Sequence, residues 1–194
     1  EVVLHAATKF KKRIIIASTS EIYGKNPAQP LHEESDRVVG APQKIRWTYS
    51  DAKALEEAIA HSLHTTQGLK VTTVRLFNTV GPLQTGRYGM VLPRFVQSAL
   101  ANEPITIYGD GTQTRDFTYV TDVANAFLTA AQSSARAEIF NVGSGQTISV
   151  NRLVELLVGE ITHIPKRPGE PDCTFADISK IRRELKWQPK VNIE

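Results

Sequence analysis

Arg13-Ile14-Ile15-Ile16-Ala17, followed at once by Ser18-Thr19-Ser20, is the stretch that decides the fold. A continuous β-branched run, rather than an alternating one, suits a strand buried on both faces of a parallel sheet. Working outward, Lys70–Phe77 is a second run of this kind, carrying Val71, Val74 and Leu76. Upstream, Val2, Val3, Leu4, Ala6, Ala7 and Phe10 give residues 1–12 the pattern of an amphipathic helix. It has no N-terminal cap signal, as if it were cut from a longer chain. Between the strands lie a Pro-containing loop, Gly24–Arg46, and an expected helix, Trp47–Thr65, ended by Gly68. Ala54, Leu55, Ala58, Ile59 and Leu63 share one face of that helix. Helix, strand, helix, strand over the first 80 residues is the order of a doubly wound parallel α/β sheet.

The character changes after Asn78. Gly81, Pro82, Gly86 and Gly89 make a turn-rich passage. Helices are predicted over 91–101, 121–132, 150–159 and 178–185, and short strands over 105–108, 115–119, 138–142 and 147–149. Such mixed short elements suggest a smaller second domain. The division expected is 1–80 and 81–194, with some later segments returning to the first sheet.

Composition excludes several classes. With 194 residues, 41% hydrophobic, 22% charged and a net charge of +3, the chain is of ordinary globular type. Lys9, Lys11, Lys12 and Arg13 read as a solvated helix end rather than a nucleic-acid patch. No run approaches the ~20 apolar residues of a membrane span, and no signal peptide is visible. One cysteine, Cys173, excludes an internal disulfide and suggests a reducing compartment.

The chemistry centres on Tyr49-Ser50-Asp51-Ala52-Lys53. Residues four apart share a helix face, so Lys53 is placed to favour the phenolate of Tyr49, a candidate general base or acid. An ordinary Tyr and Lys on a surface helix fit the same spacing. Ser18, Thr19 and Ser20 stand where the first strand ends, the edge at which open α/β sheets bind ligands. Two readings stand for these hydroxyls: hydrogen bonds to a substrate oxygen, or satisfaction of turn backbone groups. Asn78 offers an amide at the same edge. Glu57, His61 and His64 lie at helical spacing but read as solvent-facing, and no metal site is expected.

The chain resembles the extended short-chain dehydrogenases, the NAD-dependent nucleotide-sugar epimerases, dehydratases and decarboxylases. The resemblance runs through ASTSEIYG (17–24), YSDAK (49–53), RLFNTVGP (75–82), IYGDGTQTRDFTYVTDVANA (from 105), FNVGSG (140–145) and RPGEPDCTFADISKIRRELKWQPK (167–190). It implies the C-terminal part of a Rossmann-type sheet plus a smaller mixed α/β substrate-binding domain. It also implies NAD as cofactor, a UDP-sugar as substrate, a homodimer and a cytoplasmic location. Carried over residue by residue, it makes Thr19, Tyr49 and Lys53 catalytic, with Glu21 a possible fourth. Ser18, Tyr49, Lys53 and Leu76 would meet the cofactor. Asn78, Arg115 and Arg167 would meet the diphosphate, Tyr108 the uracil and Glu170 the nucleotide ribose. For either arginine alone, a surface salt bridge is the ordinary reading, although guanidinium forks do suit phosphate oxygens. The reaction implied first is UDP-hexose 4-epimerisation through a transient 4-keto sugar. UDP-glucuronate decarboxylation comes second, on the strength of Thr19-Ser20-Glu21, and a nucleotide-sugar-binding remnant or regulator is the non-catalytic alternative. One feature departs from the family: no G-x-x-G-x-x-G turn for the cofactor's pyrophosphate is present. Most of that part of the cofactor site is therefore expected to lie outside this chain.

Overall fold

A computed structural model describes residues 1–87, 90–157 and 159–193. Gly89 of the turn-rich passage and position 158 of the expected helix 150–159 lie outside the described residues. Helix α1 (Val2–Lys9) leads into β1 (Arg13–Thr19), then α2 (Thr48–Gln67) and β2 (Lys70–Leu76). The chain continues through β3 (Asn78–Val80), α3 (Val91–Ala101), β4 (Ile105–Tyr108), β5 (Thr114–Arg115), β6 (Phe117–Tyr119) and α4 (Val120–Gln132). It closes with β7 (Glu138–Val142), β8 (Ile148–Ser149), α5 (Val150–Leu157), β9 (Ile161–Ile164), β10 (Cys173–Thr174) and α6 (Ser179–Leu185).

The first sheet has the order β1-β2-β7, all parallel. Successive side chains of a strand point to opposite faces, and β1 shows it. Ile14 and Ile16 pack with Leu4 of α1 and Ala60 and Leu63 of α2, while Ile15 packs against the other side. That other side holds Val74, Phe140 and Val142 from the sheet, Val123 and Ala126 from α4, and Ile181 from α6. Helices thus cover both faces, which is why these strands read as unbroken apolar runs. A third cluster, with Phe95 of α3, Ile105 and Ile107 of β4, and Leu153 and Val154 of α5, forms a separate core.

Several expectations need correcting. Strands β3, β9 and β10 are not among those expected; β3 and β10 are two or three residues long and β9 is mostly exposed, and they pair β3 with β6, β10 with β5 and β9 with β4. The single strand expected over 115–119 breaks at Asp116, whose carboxylate is fully buried and caged (below). Arg13 is no part of a solvated helix end. It belongs to β1, and its guanidinium donates to the carbonyls of Ala130 and Ala135 (both 2.9 Å) and to that of Ser133, closing the end of α4. The Ala130 carbonyl also accepts from Ser133 N–H (3.3 Å) and the Ser133 hydroxyl (2.9 Å), so the helix end is satisfied by several donors. The loop between residues 24 and 46 folds back on itself through Lys25 N–H to Val38 O (2.8 Å) and docks through Leu31 N–H to Phe175 O (2.7 Å). Among the described residues, no helix is long and apolar enough to cross a membrane.

Candidate functional site

β1 and β2 end side by side, Thr19 opposite Leu76, at the carboxyl edge of the first sheet. A cavity of about 1160 Å³ opens there. The first sheet contributes Ser18, Thr19 and Leu76 to its wall, the turn after β1 contributes Glu21, and the first turn of α2 contributes Tyr49. Across from the sheet, β3 supplies Asn78, β4 supplies Tyr108, β5 supplies Arg115, and the segment before β10 supplies Arg167 and Glu170. Among these, residues up to 152 positions apart in sequence (170 − 18) therefore face one space. Lys53 is the exception among the expected site residues, since it does not line the wall.

Lys53 sits one turn along α2 from Tyr49, as the spacing required. Its ammonium donates to the Ala17 carbonyl (2.9 Å) and the Glu56 carboxylate (2.8 Å). Among the described residues it makes no hydrogen bond to Tyr49. The lysine thus ties α2 to the end of β1 and so holds Tyr49 near Thr19. Thr19 is itself buried, and its hydroxyl oxygen accepts from Glu21 N–H (3.2 Å), capping the turn. The hydroxyl hydrogen stays available as a donor. Tyr49 is 54% exposed, with its ring at the cavity.

On the opposite wall, the Arg167 guanidinium covers the Tyr108 ring at 3.8 Å. Its hydrogen bond and charge hold the Tyr108 phenol below the usual tyrosine range. Arg115 and Glu170, expected to hold different parts of a ligand, are bonded to each other at 3.0 Å. A second bond from Arg115 goes to Thr114 O (2.8 Å). Asn78 uses its side-chain donor on Asp116 O (3.0 Å).

Three features of the site's support went unforeseen. Glu57 is buried rather than solvent-facing, and it grips Arg75 of β2 with both oxygens (3.1 and 2.7 Å). Arg75 also donates to the Tyr23 hydroxyl (2.9 Å), which in turn donates to Asn141 of β7 (2.7 Å). The available signal was spacing: Glu57 follows Tyr49 and Lys53 at steps of four, on the helix face that meets the sheet. Asp116 is the second feature. Its carboxylate accepts from Ser144 N–H (2.6 Å), Ser144 hydroxyl (2.7 Å), Gly145 N–H (3.1 Å) and Ala176 N–H (3.2 Å), while burial pushes its pKa above the usual carboxylate range. The FNVGSG motif is thus the cage of a buried aspartate. The third is Arg46, which lines the cavity beside Glu21 at 3.7 Å.

A family profile described as NAD dependent epimerase/dehydratase matches residues 1–143. The chain belongs to that family. A UDP-N-acetyl-alpha-D-glucosaminuronate decarboxylase of Bacillus cytotoxicus is 38% identical over 99% of this chain and 63% of its own length. A UDP-glucuronate 4-epimerase of Thermodesulfobacterium geofontis is 37% identical over 94% of this chain and 56% of its own. Among solved structures, the UDP-glucose 4-epimerase of Thermotoga maritima with UDP-glucose superposes with a TM-score of 0.89. It is 32% identical over 99% of this chain and 63% of that one. The epimerase/dehydratase chain described here therefore spans roughly three-fifths of the proteins it resembles, and its mixed α/β architecture with parallel sheets is theirs.

Proposed function

We propose that, in the complete protein, this cavity binds a UDP-sugar and acts at sugar C4, as a UDP-sugar 4-epimerase passing through a transient 4-keto sugar. The observation that carries the reading is the convergence of Thr19 and Tyr49 with Tyr108, Arg115 and Arg167 on one cavity. Residues present fit the nicotinamide end of NAD. The Ser18 hydroxyl oxygen is buried without a hydrogen-bond partner at the strand end where dinucleotides lie. Ser18, Leu76, Tyr49 and Lys53 would hold that end, whereas the chain has no glycine-rich turn for the pyrophosphate. NAD, when bound, supplies the acceptor and donor of hydride.

This chain's own residues do the rest. Tyr49 takes the proton from the sugar 4-hydroxyl and later returns it. Thr19 donates a hydrogen bond to the same oxygen. Arg115 and Arg167 hold the diphosphate while the sugar turns, and Glu170 meets the nucleotide ribose. A second reading is favoured by Glu21 on the cavity wall, two residues after Thr19. If the sugar carries a C6 carboxylate, a 4-keto group makes it a β-keto acid, which loses carbon dioxide readily. Glu21 would then stand near the departing group.

The test uses complete protein with UDP-glucose and UDP-glucuronate in separate assays. A 4-epimer of either substrate supports the first reading, and carbon dioxide from UDP-glucuronate supports the second. Tyr49→Phe is expected to lower the rate ~10²–10⁴-fold with UDP affinity unchanged. A mutant keeping more than about a tenth of the wild-type rate by this measure, or binding without any product from wild type, overturns the assignment.

A further inference from the structure

We propose that Arg46 reads a carboxylate on the sugar, which narrows the substrate to a UDP-hexuronate over a neutral UDP-hexose. The inference rests on the cavity being a UDP-sugar site, with the sugar beside Thr19 and Tyr49.

Arg46 lies three residues before Tyr49, in a single helical turn (Ile45–Trp47). That turn is rigidly placed. Trp47 is 2% exposed, and Gly40 lies so close to the indole that an added Cβ would come within 2.4 Å of its nitrogen. The guanidinium packs over the Trp47 ring at 5.5 Å and lines the same cavity as Thr19, Glu21 and Tyr49.

Its hydrogen-bonding state sets it apart from the other arginines here. Arg115 is held by Glu170 and by Thr114 O, and Arg167 lies on Tyr108. Arg46 approaches Glu21 only to 3.7 Å, beyond hydrogen-bonding distance, and both side chains are part exposed, at 31% and 47%. A loose pair of this kind contributes little. Meanwhile Arg46 Nε is buried and makes no hydrogen bond. Buried polar groups are nearly always partnered, and a guanidinium edge offers two parallel N–H groups that match a carboxylate. A sugar whose O4 lies between Thr19 and Tyr49 carries its C6 substituent on C5, the next ring carbon. A carboxylate there would meet the part-exposed Arg46 guanidinium that lines the cavity, whereas a hydroxymethyl group would leave its charge unmatched.

The experiment measures kcat/KM of the complete protein for UDP-glucuronate and UDP-glucose, with Arg46→Gln and Arg46→Lys. Affinities for UDP, UDP-glucuronate and UDP-glucose are taken by calorimetry on the same samples. Losing a charge-assisted hydrogen bond should shift the uronate-to-hexose preference of Arg46→Gln by about 10- to 150-fold, in kcat/KM and in affinity. Arg46→Lys, which keeps the charge but not the fork, should fall between. Unchanged UDP affinity would show that the nucleotide wall is intact. An equal loss on both sugars would make Arg46 a prop for the turn and overturn the proposal, as would a preference ratio that does not move. If no sugar is turned over but Arg46→Gln still binds UDP-glucuronate selectively worse, the C4 chemistry falls and the carboxylate site stands. If wild type binds neither UDP nor UDP-sugar, both fall.

Discussion

At the scale of single residues, Tyr23 shows what burial does to a group outside the chemistry. It is 1% exposed, donates to Asn141 and accepts from Arg75. Burial pushes its phenol up to about 12, against the pull of the Arg75 charge. A raised folded value means that the folded state keeps its proton where the unfolded chain has begun to lose it. The stabilisation is therefore complete below pH ~10 and disappears as pH rises to ~12. At ~1.4 kcal/mol per unit, two units amount to about 3 kcal/mol. Chemical denaturation between pH 9 and 12 should show wild type losing about that much more stability than Tyr23→Phe across this window. Equal slopes would mean that the phenol ionises freely in the fold. Nothing in the sequence marked Tyr23, because a tyrosine in ASTSEIYG looks the same whether its hydroxyl meets water or Arg75. Thr19 and Tyr49, by contrast, were legible, since each depends only on where a strand ends or a helix begins.

At the scale of elements, α2 carries the site and two features hold it. Its C-terminus is closed by Gly68 at φ +72°, whose N–H reaches His64 O (2.9 Å), and an added Cβ there would meet nothing within 4 Å. Gly68→Ala therefore isolates the backbone cost of the left-handed conformation, about 1 kcal/mol. A shift in urea midpoint of that size is expected, with the denaturant slope unchanged. The second feature is the buried Glu57–Arg75 pair, which joins α2 to β2. Glu57→Ala strands the arginine and should cost ~3–5 kcal/mol, while Glu57→Leu with Arg75→Leu should cost much less, because no buried charge remains unpaired. A double mutant as unstable as Glu57→Ala would show that the loss is not that of a stranded charge, and losses that simply add would show that the two side chains are uncoupled. The periodicity of α2 was plain in the sequence. Which face meets the sheet was not: Leu55 and Ala58, expected on the apolar face, are exposed, and the helix buries Ser50, Glu57 and Ala60 along with Leu63, because the neighbours and not the apolar letters set the covered sector.

At the scale of the whole molecule, the two walls of the cavity come from distant parts of the chain, so affinity for the nucleotide tests the tertiary structure. Arg167→Ala should weaken UDP binding by about 10- to 150-fold, the equivalent of one hydrogen bond to a charged group. Free uridine, which has no phosphate, should bind wild type and mutant alike. A matching loss for uridine would mean that Arg167 supports Tyr108 rather than holding phosphate. Arg167 is the cleaner choice because Arg115→Ala would also leave Glu170 without its partner. The sequence by itself determined the alternation of helices and strands, the strand end at Thr19, and the shared helix face of Tyr49 and Lys53. Each of these follows from neighbours within about two helical turns, where backbone geometry leaves few choices. Only the tertiary structure decided that β7 joins β2, that Arg115 pairs with Glu170 and Arg75 with Glu57, that Asp116 is caged by the loop after β7, and that Arg46 lines the cavity. Those outcomes depend on which surfaces bury against each other across tens of residues. A charged side chain carries the same letter in water as in a core, and only the packed neighbours settle what it meets.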